Sequence, residues 1–220
     1  MRISEIFHSI QGEGKYIGVP QVFVRFAGCG VGCAYCDTLT EAWDEMSPDE
    51  VLYRIRDIVH YAHSVVFTGG EPLRQHDAVG VLAGALKDMG RPVFLETNGI
   101  LFEAFESVKD VIDIVAMDIK LPSVTRTKPF WDEHHRFLKS ARRHDVFVKA
   151  VVSSQVEEAD LVRTAQLVAA VDPAIPLFLQ PVHGDGELTL ETVRWMFDTC
   201  VQYLRDVRYV AQMHKHLAIP

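Results

Sequence analysis

Short apolar runs alternating with amphipathic helical stretches constrain this 220-residue chain more than any other feature. Ile3–Phe7 and Val22–Phe26 read as two strands around a turn, with His8–Gly14 breaking the regularity between them. Ser47-Pro48-Asp49-Glu50 is a capping box with proline at the first helical position, so a helix is expected to about His60. Its residues Val51, Leu52, Ile55, Ile58 and Val59 fall on one face. Further strands are expected at Val65–Phe67, Val93–Leu95, Ile114–Ala116, Val146–Val152, Leu177–Leu179 and Val207–Ala211. Helices are expected between them: one with Val79, Leu82, Ala83, Leu86 and Met89 inward, then Phe102–Val108, Trp131–Arg142, Glu157–Ala170 and Thr189–Leu204. Such alternation predicts a parallel sheet, closed as a barrel or doubly wound. Polar clusters follow the strand ends: a cysteine loop, Gly-Gly-Glu, Glu-Thr-Asn-Gly, Asp-Ile-Lys, Gln-Pro-Val-His and Met-His-Lys. In α/β barrels that rim builds the active site, so the clusters point at one cavity.

The first cluster, Phe26-Ala-Gly-Cys29-Gly-Val-Gly-Cys33-Ala-Tyr35-Cys36-Asp37-Thr38, holds three of the chain's 4 cysteines. Its glycines let the backbone curl around a compact object. A disulfide would leave one thiol over, so a soft metal centre is the better reading. Three thiolates and a distant histidine would make a zinc site. An iron–sulfur cubane with one iron left open to another ligand is the sharper alternative.

Bulk properties narrow the partners. Lys+Arg 22 against Asp+Glu 30 gives a net charge of −8, which argues against a polyanion such as tRNA or DNA. No signal peptide is expected, and no apolar run is long enough to span a bilayer. Clustered thiols without a leader suit a reducing cytoplasm. Neither a repeat nor a linker marks a domain boundary, so one domain is expected. Cys200 shares an apolar helical face with Val193, Met196, Phe197, Val201 and Leu204 and is expected in the core. His134 is expected to pack beside Phe130, Phe137, Leu138 and Ala141 rather than ligate a metal. Arg25, inside an apolar strand, needs a partner; a structural salt bridge would supply one.

The cysteine spacing, with Tyr35 before the third cysteine, resembles the signature of the radical S-adenosylmethionine (SAM) enzymes. Phe7-His-Ser-Ile-Gln11-Gly12-Glu13-Gly14, Val24-Arg25-Phe26-Ala-Gly-Cys29, Cys36-Asp37-Thr38, Thr68-Gly-Gly-Glu-Pro72, Glu96-Thr97-Asn98-Gly99 and the closing His214-Lys215-His-Leu-Ala-Ile-Pro220 resemble the 7-carboxy-7-deazaguanine synthase family. Many members carry Ser-Pro-Lys where this chain has Asp118-Ile119-Lys120. An Asp-x-Lys triplet also occurs in glycyl-radical activating enzymes, which makes those the alternative; a non-catalytic zinc module is a further one.

The resemblance implies a single-domain α/β fold, a partial (β/α)6 radical SAM barrel. Residues 1–26 would be substrate-binding strands, 27–40 the cluster loop, and 207–220 a last strand and substrate-contacting tail. It implies a [4Fe–4S] cluster on Cys29, Cys33 and Cys36, and Mg²⁺ at Thr38. SAM would be bound by Tyr35, Asp37, Gly70, Asp118, Ile119, Lys120, Gln180, Pro181, Val182 and His183. Enlarging Gly70 to valine is expected to weaken SAM binding and leave the cluster intact. The implied reaction is ring contraction of 6-carboxy-5,6,7,8-tetrahydropterin, a small-molecule substrate, to 7-carboxy-7-deazaguanine and ammonia. It starts by hydrogen abstraction at C6. Ile10, Gln11, Gly12, Glu13, Arg25, Thr68, His214 and Pro220 would hold the substrate, Arg25 through a planar fork on its carboxylate. The α-carboxylate of Pro220 would accept hydrogen bonds from its guanidine-like edge. A low-potential electron donor such as flavodoxin or ferredoxin is implied, and a homodimer is left open.

Overall fold

The computed structural model describes residues 1–36, 42–184, 188–217 and 219. They form one α/β unit around a nine-stranded sheet of order β3-β1-β2-β4-β5-β6-β7-β8-β9, numbered in chain order. The strands are β1 (Arg2–Ile10), β2 (Pro20–Phe26), β3 (Asp44–Glu45), β4 (Val65–Gly69), β5 (Val93–Thr97), β6 (Ile114–Ile119), β7 (Asp145–Val152), β8 (Leu177–Pro181) and β9 (Val207–Tyr209). From β2 through β9 along that order every pairing is parallel, whereas β1 runs antiparallel to both β2 and β3. Among the described residues the sheet has two different end strands and does not close, which is a partial barrel.

The helices are α1 (Pro48–Ile55), α2 (His76–Asp88), α3 (Phe102–Val108), α4 (Pro122–Thr125), α5 (Trp131–Ala141), α6 (Glu158–Val171), α7 (Leu190–Cys200) and α8 (Met213–Leu217). The capping box opens α1 as expected: Ser47 Oγ accepts from the Glu50 N–H, and the Glu50 carboxylate accepts from the Ser47 N–H at 2.7 Å. That helix stops at Ile55, short of His60, and a separate 3₁₀ turn at Val59–Tyr61 still buries Val59. Met89 follows the end of α2 and is 46% exposed rather than inward. β1 continues through Ile10, past the expected break at His8, because β2 pairs with it residue by residue to Pro20. The two-residue β3 had no apolar pattern to announce it.

The parallel strands β2 and β4 to β8 are buried on both faces, as helix-covered sheets require, while the edge strand β9 is half-exposed. Val22, Val24, Phe26, Phe67, Leu95, Met117, Val148 and Leu179 face the helices, in one core with Leu82, Phe105, Phe137, Leu161 and Met196. Cys200 and His134 are fully buried, as expected. The alternate residues form a second, smaller core: Phe23, Val66, Phe94, Ile114, Ala116, Phe147 and Phe178. Phe94 and Phe147 meet edge to face at 6.0 Å, and Phe147 and Phe178 at 5.3 Å. This aromatic layer is the floor on which the site rests.

Candidate functional site

Side chains two positions apart on a strand share a face. One such step beyond the floor, the face turns polar. Phe23 is followed by Arg25, Val66 by Thr68, Phe94 by Glu96, Ala116 by Asp118, Phe147 by Lys149 and Phe178 by Gln180. This layer opens into a cavity of about 990 Å³, whose wall also includes Cys29, Cys33, Cys36 and residues of the C-terminal segment.

The cysteine loop runs off the end of β2. It is stitched to the turn after β4 by the Gly70 N–H on Phe26 O and the Glu71 N–H on Gly28 O, both at 3.0 Å. A Cβ on Gly70 would lie 2.5 Å from the Gly28 carbonyl and 2.8 Å from Cys29 N. Gly70 therefore lets the two turns touch, and valine there would displace the cysteine loop itself; the expectation that the cluster site would survive it is corrected. Glu71 is wholly buried beneath this contact, accepting from Leu73 N, Asn98 N and Thr97 Oγ1 at 2.8–3.0 Å. Burial pushes its pKa up despite these donors.

No cysteine among the described residues is in a disulfide. Nor do three His, Cys, Asp or Glu side chains among them converge on a point that could hold a single ion. A cubane needs no such convergence, because each cysteine binds a different iron. Burial raises the Cys33 pKa, opposed by the Lys120 ammonium, with Asp118, Cys29 and Cys36 also near enough to act on it. Beside the loop, Lys120 Nζ bonds Asp118 Oδ2 at 2.8 Å and lies 5.8 Å from the centre of the Tyr35 ring. Burial would lower the Lys120 pKa, but Asp118 and Tyr35 hold it well above its ordinary value. Asp118 Oδ1 and Gln180 Oε1 are buried acceptors with no partner. The Asp118 acceptor, on the cavity wall and near enough to Cys33 to act on its thiol, fits a ligand with an ammonium and hydroxyls, as SAM has.

Across the cavity, Gln11 donates both amide protons, to Gln21 Oε1 at 3.1 Å and Glu96 Oε1 at 3.0 Å, and its carbonyl accepts from Glu13 N. Thr68 donates to the other Glu96 oxygen at 2.7 Å. Glu13 accepts from Lys149 Nζ and from Gln212 Nε2, each at 2.6 Å. Burial would raise the Glu13 pKa; Lys149 and the two hydrogen bonds overcome it and bring it down to about 2. Arg25 finds its partner in Glu5 through Nε at 3.1 Å, with its guanidinium 5.4 Å over the Phe7 ring.

Of the expected site residues, Cys29, Cys33, Cys36, Tyr35, Gly70, Asp118, Lys120, Val182, His183, Ile10, Gln11, Gly12, Glu13, Arg25, Thr68 and His214 all line this one cavity. Ile119 instead faces the helices, fully buried in the main core, as strand alternation requires of the residue between Asp118 and Lys120. Gln180 and Pro181 do not line the cavity either, although Gln180 shares its face. Asp37, Thr38 and Pro220 lie outside the described residues. Sequence reasoning passed over Lys149 and Gln212 and gave Glu96, placed in a rim cluster, no part in holding the substrate; all three line the cavity. A charge two residues after a buried phenylalanine, in Phe94-x-Glu96 and Phe147-x-Lys149, was the available signal.

Comparison with known proteins adds the following. The Radical SAM superfamily profile matches residues 23–168. A 7-carboxy-7-deazaguanine synthase of Geobacter sulfurreducens is 34% identical over 98% of this chain and 96% of its own length. One from Thermoplasma acidophilum is 35% identical, again over 98% and 96%. The crystal structure of QueE from Escherichia coli superposes with a TM-score of 0.68 at 25% identity, covering 97% of this chain and 94% of that one. TYW1 with a lysine–pyruvate adduct, at 14% identity and a TM-score of 0.62 over 84% of this chain and 74% of its own, shares the fold.

Proposed function

The chain belongs to the 7-carboxy-7-deazaguanine synthases of the radical SAM superfamily, and on that premise we propose that it converts 6-carboxy-5,6,7,8-tetrahydropterin to 7-carboxy-7-deazaguanine with loss of ammonia. The observation that carries this reading is that the cysteine loop and the polar residues of five parallel strands, Arg25, Thr68, Glu96, Asp118 and Lys149, open on one cavity. The family implies a [4Fe–4S] cluster and SAM, and Cys29, Cys33 and Cys36 would hold the cluster. When bound and reduced, that pair supplies a 5′-deoxyadenosyl radical by one-electron cleavage of the sulfonium.

The chain's own residues divide into two halves. Tyr35, Gly70, Asp118, Lys120, Val182 and His183 would seat SAM, with Asp118 Oδ1 the acceptor still open to its donors. Arg25 would take the substrate carboxylate, its terminal nitrogens forming the fork while Nε stays on Glu5. Gln11 and Thr68 orient the Glu96 carboxylate, and Ile10, Gly12, Glu13 and His214 complete the substrate wall. Residues 1–26, 27–40 and 207–220 act as substrate strands, cluster loop and closing segment. Asp37 on SAM, Mg²⁺ at Thr38 and the Pro220 carboxylate on the pterin are the remaining parts of the proposal, together with a flavodoxin or ferredoxin as donor. Among the described residues no helix is long and apolar enough to cross a membrane.

The test is anaerobic turnover of reconstituted protein with reductant, SAM and the carboxy-tetrahydropterin. Formation of the deazaguanine with 5′-deoxyadenosine is expected. Protein that binds iron, sulfide and SAM but neither binds nor converts the pterin would overturn the reading, and would return attention to a glycyl-radical activating role.

A further inference from the structure

Lys149 stands in the middle of the sheet, on a strand paired on both sides, with its side chain 8% exposed. The fold alone does not ask for a cation here, because an apolar side chain above Phe147 would be cheaper to bury. Three carboxylates act on its ammonium: Glu13, Glu96 of β5 and Asp118 of the neighbouring β6. The bond it makes is to Glu13 Oε2, across 136 positions of sequence.

The partner of that bond is itself a junction. The second Glu13 oxygen accepts from Gln212, 199 positions away in the C-terminal segment. One residue earlier, Gly12 O accepts from Met213 N at 2.9 Å. A Cβ on Gly12 would overlap the His214 ring, so the absent side chain is the space that ring fills. Ile219 N then bonds back to His214 O at 3.1 Å. The segment that puts Gln212, His214, Lys215 and Ile219 on the cavity wall is thus held at its start by Glu13, and Glu13 is held by Lys149.

We propose that Lys149 is a positioning residue for the substrate: through Glu13 it seats residues 212–219 against the Gln11–Gly14 turn and so completes the substrate half of the cavity. This inference rests on the pterin reading of that half. Lys149 makes its side-chain hydrogen bond to Glu13, on the substrate half of the cavity. Its work is to keep one carboxylate charged and fixed so that a distant amide can dock on it.

Lys149→Met tests this, with hydrogen exchange of the cluster-loaded protein as the readout that does not depend on turnover. Exchange of amides 212–217 should quicken at least tenfold, and the pterin KM should rise about tenfold, with SAM binding and kcat changed less than twofold. Gln212→Ala should reproduce the exchange effect, and it serves the same purpose if the lysine variant does not fold. Adding Glu13→Gln to Lys149→Met should quicken exchange of amides 212–217 no further, because the carboxylate that needed the cation is gone. Wild-type exchange at 212–217 in both single variants would overturn the proposal. So would a raised KM with an undisturbed segment, which would make Lys149 a direct substrate contact. A wild-type protein that ignores the pterin would defeat the activity reading instead, while the exchange result still decides whether Lys149 seats the segment.

Discussion

Asp118 and Lys120 meet across a single residue of β6, whereas Glu13 and Lys149 bring together positions 136 apart. Both pairs line the same cavity and both are largely buried. The first is a local device. It forms as soon as β6 forms, it stands beside the cysteine loop, and it leaves Asp118 Oδ1 open. The second forms only when the N-terminal turn has reached β7, and through Gln212 it takes in the C-terminal segment as well. The Asp118–Lys120 pair is therefore set by neighbours in sequence, and the Glu13–Lys149 pair is a product of the finished fold.

The largest effects should break the local side. Alanine at Cys29, Cys33 or Cys36 should each abolish iron incorporation and SAM cleavage, while the C-terminal segment keeps its hydrogen-exchange protection. Gly70→Val should come next: the clash with Gly28 and Cys29 predicts severalfold loss of bound iron together with SAM affinity. Full iron occupancy in that variant would refute the tight approach of the two turns.

Lys120→Met should cost about 3–5 kcal/mol of stability by stranding the Asp118 carboxylate. Thermal unfolding and SAM titration would both register it, and amides 212–217 should be untouched. If the segment loosened as well, the two sides would not be independent.

A gentler perturbation, acidification, reaches the long-range pair. The folded Glu13 pKa, near 2, lies below its ordinary 4.5, so the pair stabilises docking fully above pH 4.5 and loses that contribution as pH falls towards 2. Lys149, Glu96, Asp118 and His214 are the charged neighbours involved. In cluster-free protein, release of the segment should follow acidification in that window, and Glu13→Gln should flatten it. Cys200→Ala should do least, about 1 kcal/mol by unfolding, with iron content unchanged.

The same contrast explains what could be read from sequence. The cysteine spacing, the Asp-Ile-Lys triplet and the strand–helix alternation are local patterns, and each lies where the pattern placed it. The packing of Cys200 and His134 was legible for the same reason, since a helical face is a short-range property. Lys149 and Gln212 were not legible as a pair, because nothing within ten residues of either tells which segment it will meet. Gly70 was expected to matter only to SAM, but its missing side chain is also the space in which Gly28 sits, which only the meeting of two turns reveals. Ile119 illustrates the reverse lapse: alternation alone would have sent its side chain to the helices.

The aromatic floor has a consequence for how such chains diversify. Truncating Phe94 or Phe147 to alanine would open a void costing about 3–5 kcal/mol, a large share of what a domain this size has to spare. One step higher, Arg25, Thr68, Glu96, Asp118 and Lys149 line the cavity, and none of them belongs to the aromatic floor. Inheritance can then rewrite the upper tier strand by strand, trying new ligands on an old foundation, and chains that share little sequence can still share this sheet.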